Sequence, residues 1–274
     1  QAGPRAWDRA REAAERAPQV APLDGVRLHA PIVPTQIRDF LCFELHLVQA
    51  MRQTLRGRMP AWAVSLLERA GVARVPKIWY ERPIYYKGNR LALSGPGDEV
   101  AWPAMSSFLD YELELGMVLG LPGRDIPEER AREHIFGYLI FNDLTLRDVQ
   151  AREMGGTFHL GPSKSKDFDG ANALGPWLVT ADEVGDPYAL TMVARVDGEA
   201  WSRGSSSTMY WTFEQLIAFV SRGETLHAGE LFGSGTVGGG CGLELGRRLR
   251  PGATVELEIE RLGRLVTHVG PRAG

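Results

Sequence analysis

Hydrophobic and polar positions along the chain predict a helical beginning and a longer region of strands and turns. Residues 6–17 are charge-rich and compatible with a helix, and prolines then punctuate an extended stretch with a short alternating piece at 26–30. Apolar residues recur at helical spacing over 37–51, which predicts an amphipathic helix, and again over 62–70 before Gly71.

Beyond Pro76 the chain is rich in short alternating or aromatic runs separated by glycine and proline, as expected for strands and turns. Strands are predicted near residues 78–86, 90–93, 111–119, 134–141, 177–180, 190–196, 224–232, 254–260 and 264–269, and helices at 127–133, 145–153 and 212–222. Helices are too few for a regular βαβ series, so we predict a β-rich α+β fold. The predicted partition is an N-terminal extended and helical segment, 1–76, followed by a β-rich domain, 77–274.

Composition removes several function classes. The 274 residues carry 31 Lys and Arg against 34 Asp and Glu, and a net charge of −3 disfavours nucleic acid as a partner. No stretch reaches the roughly 18 consecutive apolar residues of a membrane span, so no membrane partner is expected. The chain has only two cysteines, Cys42 and Cys241, and neither has disulfide-framework or metal-finger spacing, which favours a reducing, cytoplasmic location.

The sharpest local signal for chemistry is the acidic pair Glu112 and Glu114. On a strand these carboxylates project from one face about 7 Å apart, while Leu113 and Leu115 point to the other. Such a pair suits one divalent cation. The alternative is an ordinary strand with a solvated acidic face.

A further acidic residue, Asp143, lies where an apolar strand gives way to a predicted helix. It could cap that helix or serve as a third metal ligand. Because the candidate ligands are all oxygens, Mg²⁺, Mn²⁺ or Ca²⁺ is favoured over Zn²⁺. Arg147 and Lys166 would offset the remaining negative charge.

Asp39 and His46 are seven residues apart. On one regular helix they would share a face and lie about 10 Å apart, too far to bind one ion together. They could act along one cleft wall, the aspartate at a metal and the histidine as a base. A histidine on a helix is otherwise an ordinary surface or core residue.

The glycine run at 233–242 formally contains G-x-G-x-x-G. We reject a dinucleotide site, because no following helix is apparent and the context is strand and turn. The run could still bring backbone amides and the Thr236 hydroxyl close to a ligand oxygen, or it could be a tight turn.

Four blocks in order along the chain resemble the fumarylacetoacetate hydrolase superfamily, and the likeness extends over about 26–269. They are Leu-Asp-Tyr-Glu-Leu-Glu-Leu at 109–115, Phe-Asn-Asp-Leu-Thr-Leu-Arg-Asp-Val-Gln at 141–150, Lys-Asp-Phe at 166–168 with Leu-Gly-Pro-Trp at 174–177, and Gly-Ser-Gly-Thr at 233–236. The resemblance implies a mixed β-roll of the type found in the C-terminal domain of these enzymes, a homodimer, and a divalent metal, Mg²⁺ first, held by Glu112, Glu114 and Asp143.

The resemblance also points to the branch of C–C hydrolases. Those members add a fourth carboxylate in an Asp-Phe dipeptide, a histidine seven residues later, and a glutamate in a Gly-Cys-x-Leu-Glu block, which correspond here to Asp39, His46 and Glu244. The implied catalytic residues are His46, Glu244 and Lys166. The implied substrate-binding residues are Tyr86, Arg147, Gln150 and Thr236.

Three departures bear on the substrate. Members that cleave fumarylacetoacetate carry tyrosine, arginine and tyrosine where this chain has Leu41, Leu55 and Met154. Fumarylacetoacetate itself is therefore not the expected substrate. We expect a small oxo acid, an acylpyruvate or another β-diketo acid, cleaved by water that His46 activates. The alternatives are a decarboxylase, hydratase or isomerase of a 2-oxo acid that proceeds through a metal-bound enolate, and a non-catalytic protein that binds organic acids.

Overall fold

A computed structural model describes residues 4–17, 22–23, 25–57, 59–71, 74–155 and 161–273. The helices are α1 Pro4–Arg16, α2 Glu44–Arg56, α3 Ala61–Arg69, α4 Lys77–Glu81, α5 Glu128–Ala131, α6 Arg147–Glu153, α7 Ala181–Val184, α8 Phe213–Val220 and α9 Gly242–Leu245, with 3₁₀ turns at Arg132–His134, Lys164–Lys166 and Ser206–Thr208. The strands are β1 Ile37–Phe40, β2 Tyr85–Gly88, β3 Leu93–Ser94, β4 Glu99–Trp102, β5 Leu109–Asp110, β6 Leu113–Leu119, β7 Gly123–Arg124, β8 Ile135–Asp143, β9 Thr145–Leu146, β10 Asn172–Thr180, β11 Thr191–Val196, β12 Glu199–Ser205, β13 Thr225–Leu226, β14 Leu231–Gly233, β15 Thr254–Ile259 and β16 Gly263–Arg272.

Two mixed sheets dominate the architecture. Seven strands pair in the order β2-β1-β14-β6-β8-β10-β3, and five pair in the order β12-β11-β15-β16-β4. The sheets meet where β10 contacts β16 and β8 contacts β15. The main core takes residues from both sheets, for example Leu115, Ile140 and Leu257, all fully buried. The β-rich α+β class expected from the sequence is confirmed.

The second face of the seven-stranded sheet carries a smaller apolar cluster. Its buried members are Ile37, Val118, Leu139, Phe141, Leu174 and Leu231. Side chains two residues apart on a strand share a face. Asp39, Glu114, Asp143 and Gly233 therefore continue this apolar face in the direction of the strand ends.

The predicted helix over 37–51 is wrong in its first part. Residues Ile37–Phe40 form strand β1, and the helix begins only at Glu44. β1 pairs in parallel with β14 and antiparallel with β2, and all four of its residues are buried. A spacing that fits a helix locally is overridden here by hydrogen bonding to strands that are distant in sequence.

The N-terminal segment does not lie apart from the sheet. β1 lies between two strands that come from beyond residue 76, while the alternating piece at 26–30 carries no strand. The boundary near Pro76 stays a prediction. Among the described helices, none has both the length and the apolar character needed to cross a bilayer.

Candidate metal centre and histidine pair

Three carboxylates converge on one face of the seven-stranded sheet. Asp39 on β1 is in register with Gly233 on β14, and Glu114 on β6 is in register with Phe141 on β8, two residues before Asp143. One oxygen each from Asp39, Glu114 and Asp143 lie within 4.8 Å of one another, and all three residues are buried. Four adjacent strands thus build the cluster.

Gly233 makes room for this convergence. A Cβ at this position would lie 2.2 Å from Oδ1 of Asp39 and 3.0 Å from Oε2 of Glu114. Oδ1 of Asp39 and Oδ1 of Asp143 are buried and have no hydrogen-bond partner among the described residues. The space beside Gly233 is therefore bordered by carboxylate oxygens that lack hydrogen-bond partners. Such a space fits a hard cation.

Electrostatics supports the same fit. Burial raises the pKa of Asp39 and of Glu114 well above their ordinary values, and the neighbouring carboxylates raise them further. Burial also raises the pKa of Asp143, although Lys166 opposes that rise. A dication would relieve the repulsion, and an all-oxygen donor set suits Mg²⁺, Mn²⁺ or Ca²⁺.

Glu112 has different partners from Glu114. It precedes β6, forms a backbone bridge with Cys241, and pairs through Oε1 with Arg147 at 2.8 Å and through Oε2 with Lys166. Burial alone would raise the pKa of Glu112, but Arg147 and Lys166 lower it. The converging oxygens come from Asp39, Glu114 and Asp143, and the role of Glu112 as a metal ligand stays a prediction.

Two of the simpler explanations are wrong. The acidic strand has no solvated face, because Glu112 and Glu114 are both buried. Asp143 does not cap a helix, since α6 begins four residues later with no side-chain cap. The carboxylate of Asp143 instead accepts hydrogen bonds from the Tyr86 hydroxyl at 2.7 Å and from the Lys166 ammonium.

The four residues predicted to contact substrate all border this acidic region. Tyr86 lies beside Asp39 in register and donates to Asp143. Thr236 faces Glu114, with 3.4 Å between hydroxyl and carboxylate. Arg147 is buried, and its NH1 donates to Oε1 of Gln150 at 3.1 Å. Their role in binding substrate stays a prediction.

His46 faces Glu244 from a separate element. Asp39 lies on β1 and His46 lies on α2, so the expectation of one shared helix face is wrong. Nδ1 of His46 is 3.2 Å from Oε2 of Glu244, and both residues are 7% exposed. The thiol of Cys241 donates to Oε2 of Glu244, and the backbone of Cys241 pairs with that of Glu112, which puts the pair beside the acidic end of the sheet.

Asp110 is a buried residue of the site to which the sequence analysis assigned no role. It accepts hydrogen bonds from the amides of Gly242 and Leu243, both at 2.9 Å, and from Nε of Arg147 at 2.8 Å. Those amides open helix α9, which carries Glu244. The sequence feature that could have identified Asp110 is its position in the Leu-Asp-Tyr-Glu-Leu-Glu-Leu block at 109–115. Helix α9 begins at Gly242, the last residue of the glycine run, so the expectation that no helix follows this run is wrong.

Comparison with known proteins places these residues in a family context. Residues 57–270 match the family model described as fumarylacetoacetate (FAA) hydrolase C-terminal. Oxaloacetate tautomerase YisK of Bacillus subtilis is 32% identical over 250 residues, which cover 90% of this chain and 74% of that protein. A Burkholderia multivorans protein, named only provisionally as a hydrolase, is 39% identical over 191 residues, 69% of this chain. The matched region spans 64% of that relative's length.

Solved structures give the same picture. Fumarylacetoacetate hydrolase from Exiguobacterium antarcticum superposes with a TM-score of 0.74 at 29% identity, covering 94% of this chain and 83% of that one. A 5-carboxymethyl-2-hydroxymuconate delta-isomerase from Mycobacterium smegmatis gives 0.71 at 26% identity, covering 94% and 87%. Proteins with this fold thus include enzymes named for hydrolysis and for isomerisation.

The first prediction concerns the space beside Gly233. Gly233→Ala should abolish most of the rise in melting temperature that Mn²⁺ gives the wild-type protein, because the new methyl group occupies the volume between Asp39 and Glu114. A ligand at a hundred times its dissociation constant stabilises the native state by about 2.7 kcal/mol. Thermal unfolding with and without Mn²⁺ measures this increment.

The matched control is Gly116→Ala. Gly116 is opposite Gly233 in register, but its Cβ would meet Leu139 and Leu231 rather than carboxylates. This variant should lose some stability through crowding and keep the Mn²⁺ increment. A full increment in Gly233→Ala would contradict the assignment.

The second prediction concerns pH. Asp39 and Glu114 have folded-state pKa values above their unfolded values, so their contribution to the stability of the metal-free protein is lost as pH rises through the folded pKa. The stability difference between metal-loaded and metal-free protein should therefore grow with pH up to the folded pKa of these carboxylates, by about 1.4 kcal/mol per pH unit for each proton released, and become constant above it.

Thermal unfolding in Mn²⁺ and in EDTA over a pH series measures that difference. Titratable groups that the metal does not affect contribute equally to both measurements, so their contributions cancel. Asp39→Asn should reduce the slope, because one titrating carboxylate is removed. A difference that does not change with pH in the wild-type protein is the opposing result.

Proposed function

The chain belongs to the fumarylacetoacetate hydrolase family, and we propose on that basis that it is a divalent-metal-dependent hydrolase. The proposed reaction cleaves a C–C bond in a 1,3-dicarbonyl acid, an acylpyruvate or another β-diketo acid. The observation that carries the proposal is the buried His46 and Glu244 pair, 3.2 Å apart, beside a cluster of three carboxylates. A base next to a Lewis-acid site is the minimum that hydrolysis of a carbonyl compound requires.

Asp39, Glu114 and Asp143 are the proposed metal ligands, with Glu112 next to them. A divalent cation held there would supply Lewis-acid polarisation of a carbonyl oxygen and would orient the oxo acid. Gly235 donates its amide to Oε2 of Glu114 at 3.2 Å, which helps to hold this ligand in place.

His46 is the proposed general base. Its imidazole takes a proton from water, and the carboxylate of Glu244 stabilises the imidazolium that forms. Glu244 is itself fixed, because Oε1 accepts from the amide of Gly239 at 3.0 Å and Oε2 accepts from the thiol of Cys241 at 3.2 Å. Glu244 is therefore held in place facing His46.

Lys166 is the proposed source of positive charge near the leaving group. Its ammonium is buried between Glu112 and Asp143, and those carboxylates raise its pKa despite burial. Lys166 would therefore remain a cation that stabilises developing negative charge, together with the amide of Gln150. Both ion-pair partners of Arg147 are carboxylates of the protein, which favours a positioning role for it.

Tautomerisation or isomerisation of a 2-oxo acid is the second candidate. It is favoured by the 32% identity to oxaloacetate tautomerase YisK across 90% of the chain. The same histidine could move a proton at carbon instead of activating water. The two candidates differ in their products, since hydrolysis yields two fragments and tautomerisation leaves the carbon skeleton whole. The homodimer and the identity of the metal also remain proposals.

The third prediction tests the base. Wild-type protein with Mg²⁺ or Mn²⁺ should turn over acylpyruvates, with two fragments visible by NMR, and should lose this activity in EDTA. His46→Gln should lower turnover by about 10²–10⁴-fold, the usual contribution of a general base. The Mn²⁺-induced rise in melting temperature should persist in this variant, because His46 is not a proposed ligand.

His227→Gln is the matched control, since His227 is exposed and lies outside the site. It should keep wild-type turnover. Full hydrolysis by His46→Gln would refute the base assignment. Turnover of oxaloacetate or acylpyruvates without fragments would instead establish the second candidate, and metal-dependent binding without any product would indicate a non-catalytic binder.

A further inference from the structure

Two side chains of different chemistry, those of Cys241 and Glu244, meet the proposed base, His46. One ring nitrogen of His46, Sγ of Cys241 and a carboxylate oxygen of Glu244 all lie within 4.8 Å of one another, and all three residues are buried. Two of the separations are 3.2 Å, from Oε2 of Glu244 to Nδ1 and from Oε2 to Sγ. This cluster, called here the N-S-O cluster, shares no residue with the carboxylate centre.

The spacing of the N-S-O cluster matches a tetrahedral metal. Zinc bonds of about 2.0–2.3 Å to nitrogen, oxygen and sulfur put neighbouring ligand atoms about 3.4–3.6 Å apart at tetrahedral angles. The observed 3.2 Å separations require only a small expansion. Three ligands leave a fourth position free for water, as in open zinc sites.

A second observation points to a ligand at the same place. Nδ1 of His46 faces Oε2 of Glu244 at 3.2 Å, but this contact lacks hydrogen-bond geometry and Nδ1 has no other hydrogen-bond partner among the described residues, although the side chain is only 9% exposed. A buried ring nitrogen without a partner is costly. A metal at this position would satisfy it.

We propose that the N-S-O cluster is an inhibitory binding site for a borderline or soft transition-metal ion such as Zn²⁺, distinct from the hard-cation site on the carboxylates. Thiolate, imidazole and carboxylate together select Zn²⁺ or Co²⁺ over Mg²⁺. Binding releases the thiol proton of Cys241 to solvent and needs no oxidant.

Inhibition follows from which atoms the ion would take. Nδ1 of His46 and the carboxylate of Glu244 are the atoms that orient the base in the proposed function, on which this part of the inference rests. An ion bound to both would pin the imidazole and remove Glu244 as its partner. Metal binding at the cluster can be measured without substrate, so its failure is distinguishable from failure of the proposed reaction.

The test uses Co²⁺ and Zn²⁺ on the reduced full chain with Mg²⁺ in excess. Co²⁺ should produce a near-ultraviolet thiolate-to-cobalt charge-transfer band in the wild-type protein. Cys241→Ser should lose the band. Cys42→Ser should keep it, and this is a close control because Cys42 is the other cysteine and is also fully buried. Circular dichroism verifies the fold of each variant.

The activity arm measures inhibition by Zn²⁺. The inhibition constant should rise at least about tenfold in Cys241→Ser, since loss of even an outer partner costs about 10–100-fold in metal affinity. X-ray absorption of zinc on the wild-type protein should find one sulfur neighbour at about 2.3 Å, a result that depends on no variant.

Absence of the band and of a sulfur neighbour in the wild-type protein would overturn the site, as would a band that survives in Cys241→Ser or disappears only in Cys42→Ser. Zinc inhibition unchanged by Cys241→Ser would overturn the inhibitory role. A band without any turnover of oxo acids would support the metal site and count against the proposed hydrolase.

Discussion

Mutual repulsion among buried carboxylates is the constraint on which the rest of this site depends. Two like charges about 4 Å apart repel by about 4 kcal/mol even at an effective dielectric constant of 20. Asp39, Glu114 and Asp143 meet at such separations, and all three are buried away from bulk solvent. The arrangement is stable only when protons, Lys166 or a dication offset the charge, and this dependence connects the fold to cation binding.

Ion pairs and hydrogen bonds around the carboxylates also position the pair of His46 and Glu244. Arg147 joins Glu112 to Asp110, and Asp110 binds the first amides of α9. The same helix presents Glu244 to His46. A chain of buried ion pairs and hydrogen bonds thus connects the acidic strand to the base, so that a change at Arg147 or Asp110 would also alter the position of Glu244.

Local sequence patterns predict some elements of the fold and of the site correctly and fail at others. Asp143 could be placed correctly at the end of β8, because the preceding apolar run identifies a buried strand and its end. The strand Ile37–Phe40 could not be predicted in this way, because the spacing of its apolar residues fits a helix. The strands that pair with it lie about 50 and 190 residues away along the chain. Periodicity contains no information about such pairings.

The spacing of charged residues along the chain also does not predict which partners they pair with. Glu112 and Glu114 are two residues apart, yet one pairs with Arg147 and Lys166 while the other meets Asp39. The importance of Gly233 also appears only in three dimensions, because the carboxylates that need its space come from other strands. Resemblance to a family identified the residues, and the fold supplies the reason that they act together.

Anomalous diffraction from crystals soaked in Mn²⁺ tests the central claim most directly. We predict a manganese peak bounded by the carboxylates of Asp39, Glu114 and Asp143, in the space beside Gly233. A peak elsewhere on the molecule, with these three carboxylates still unliganded, would contradict it.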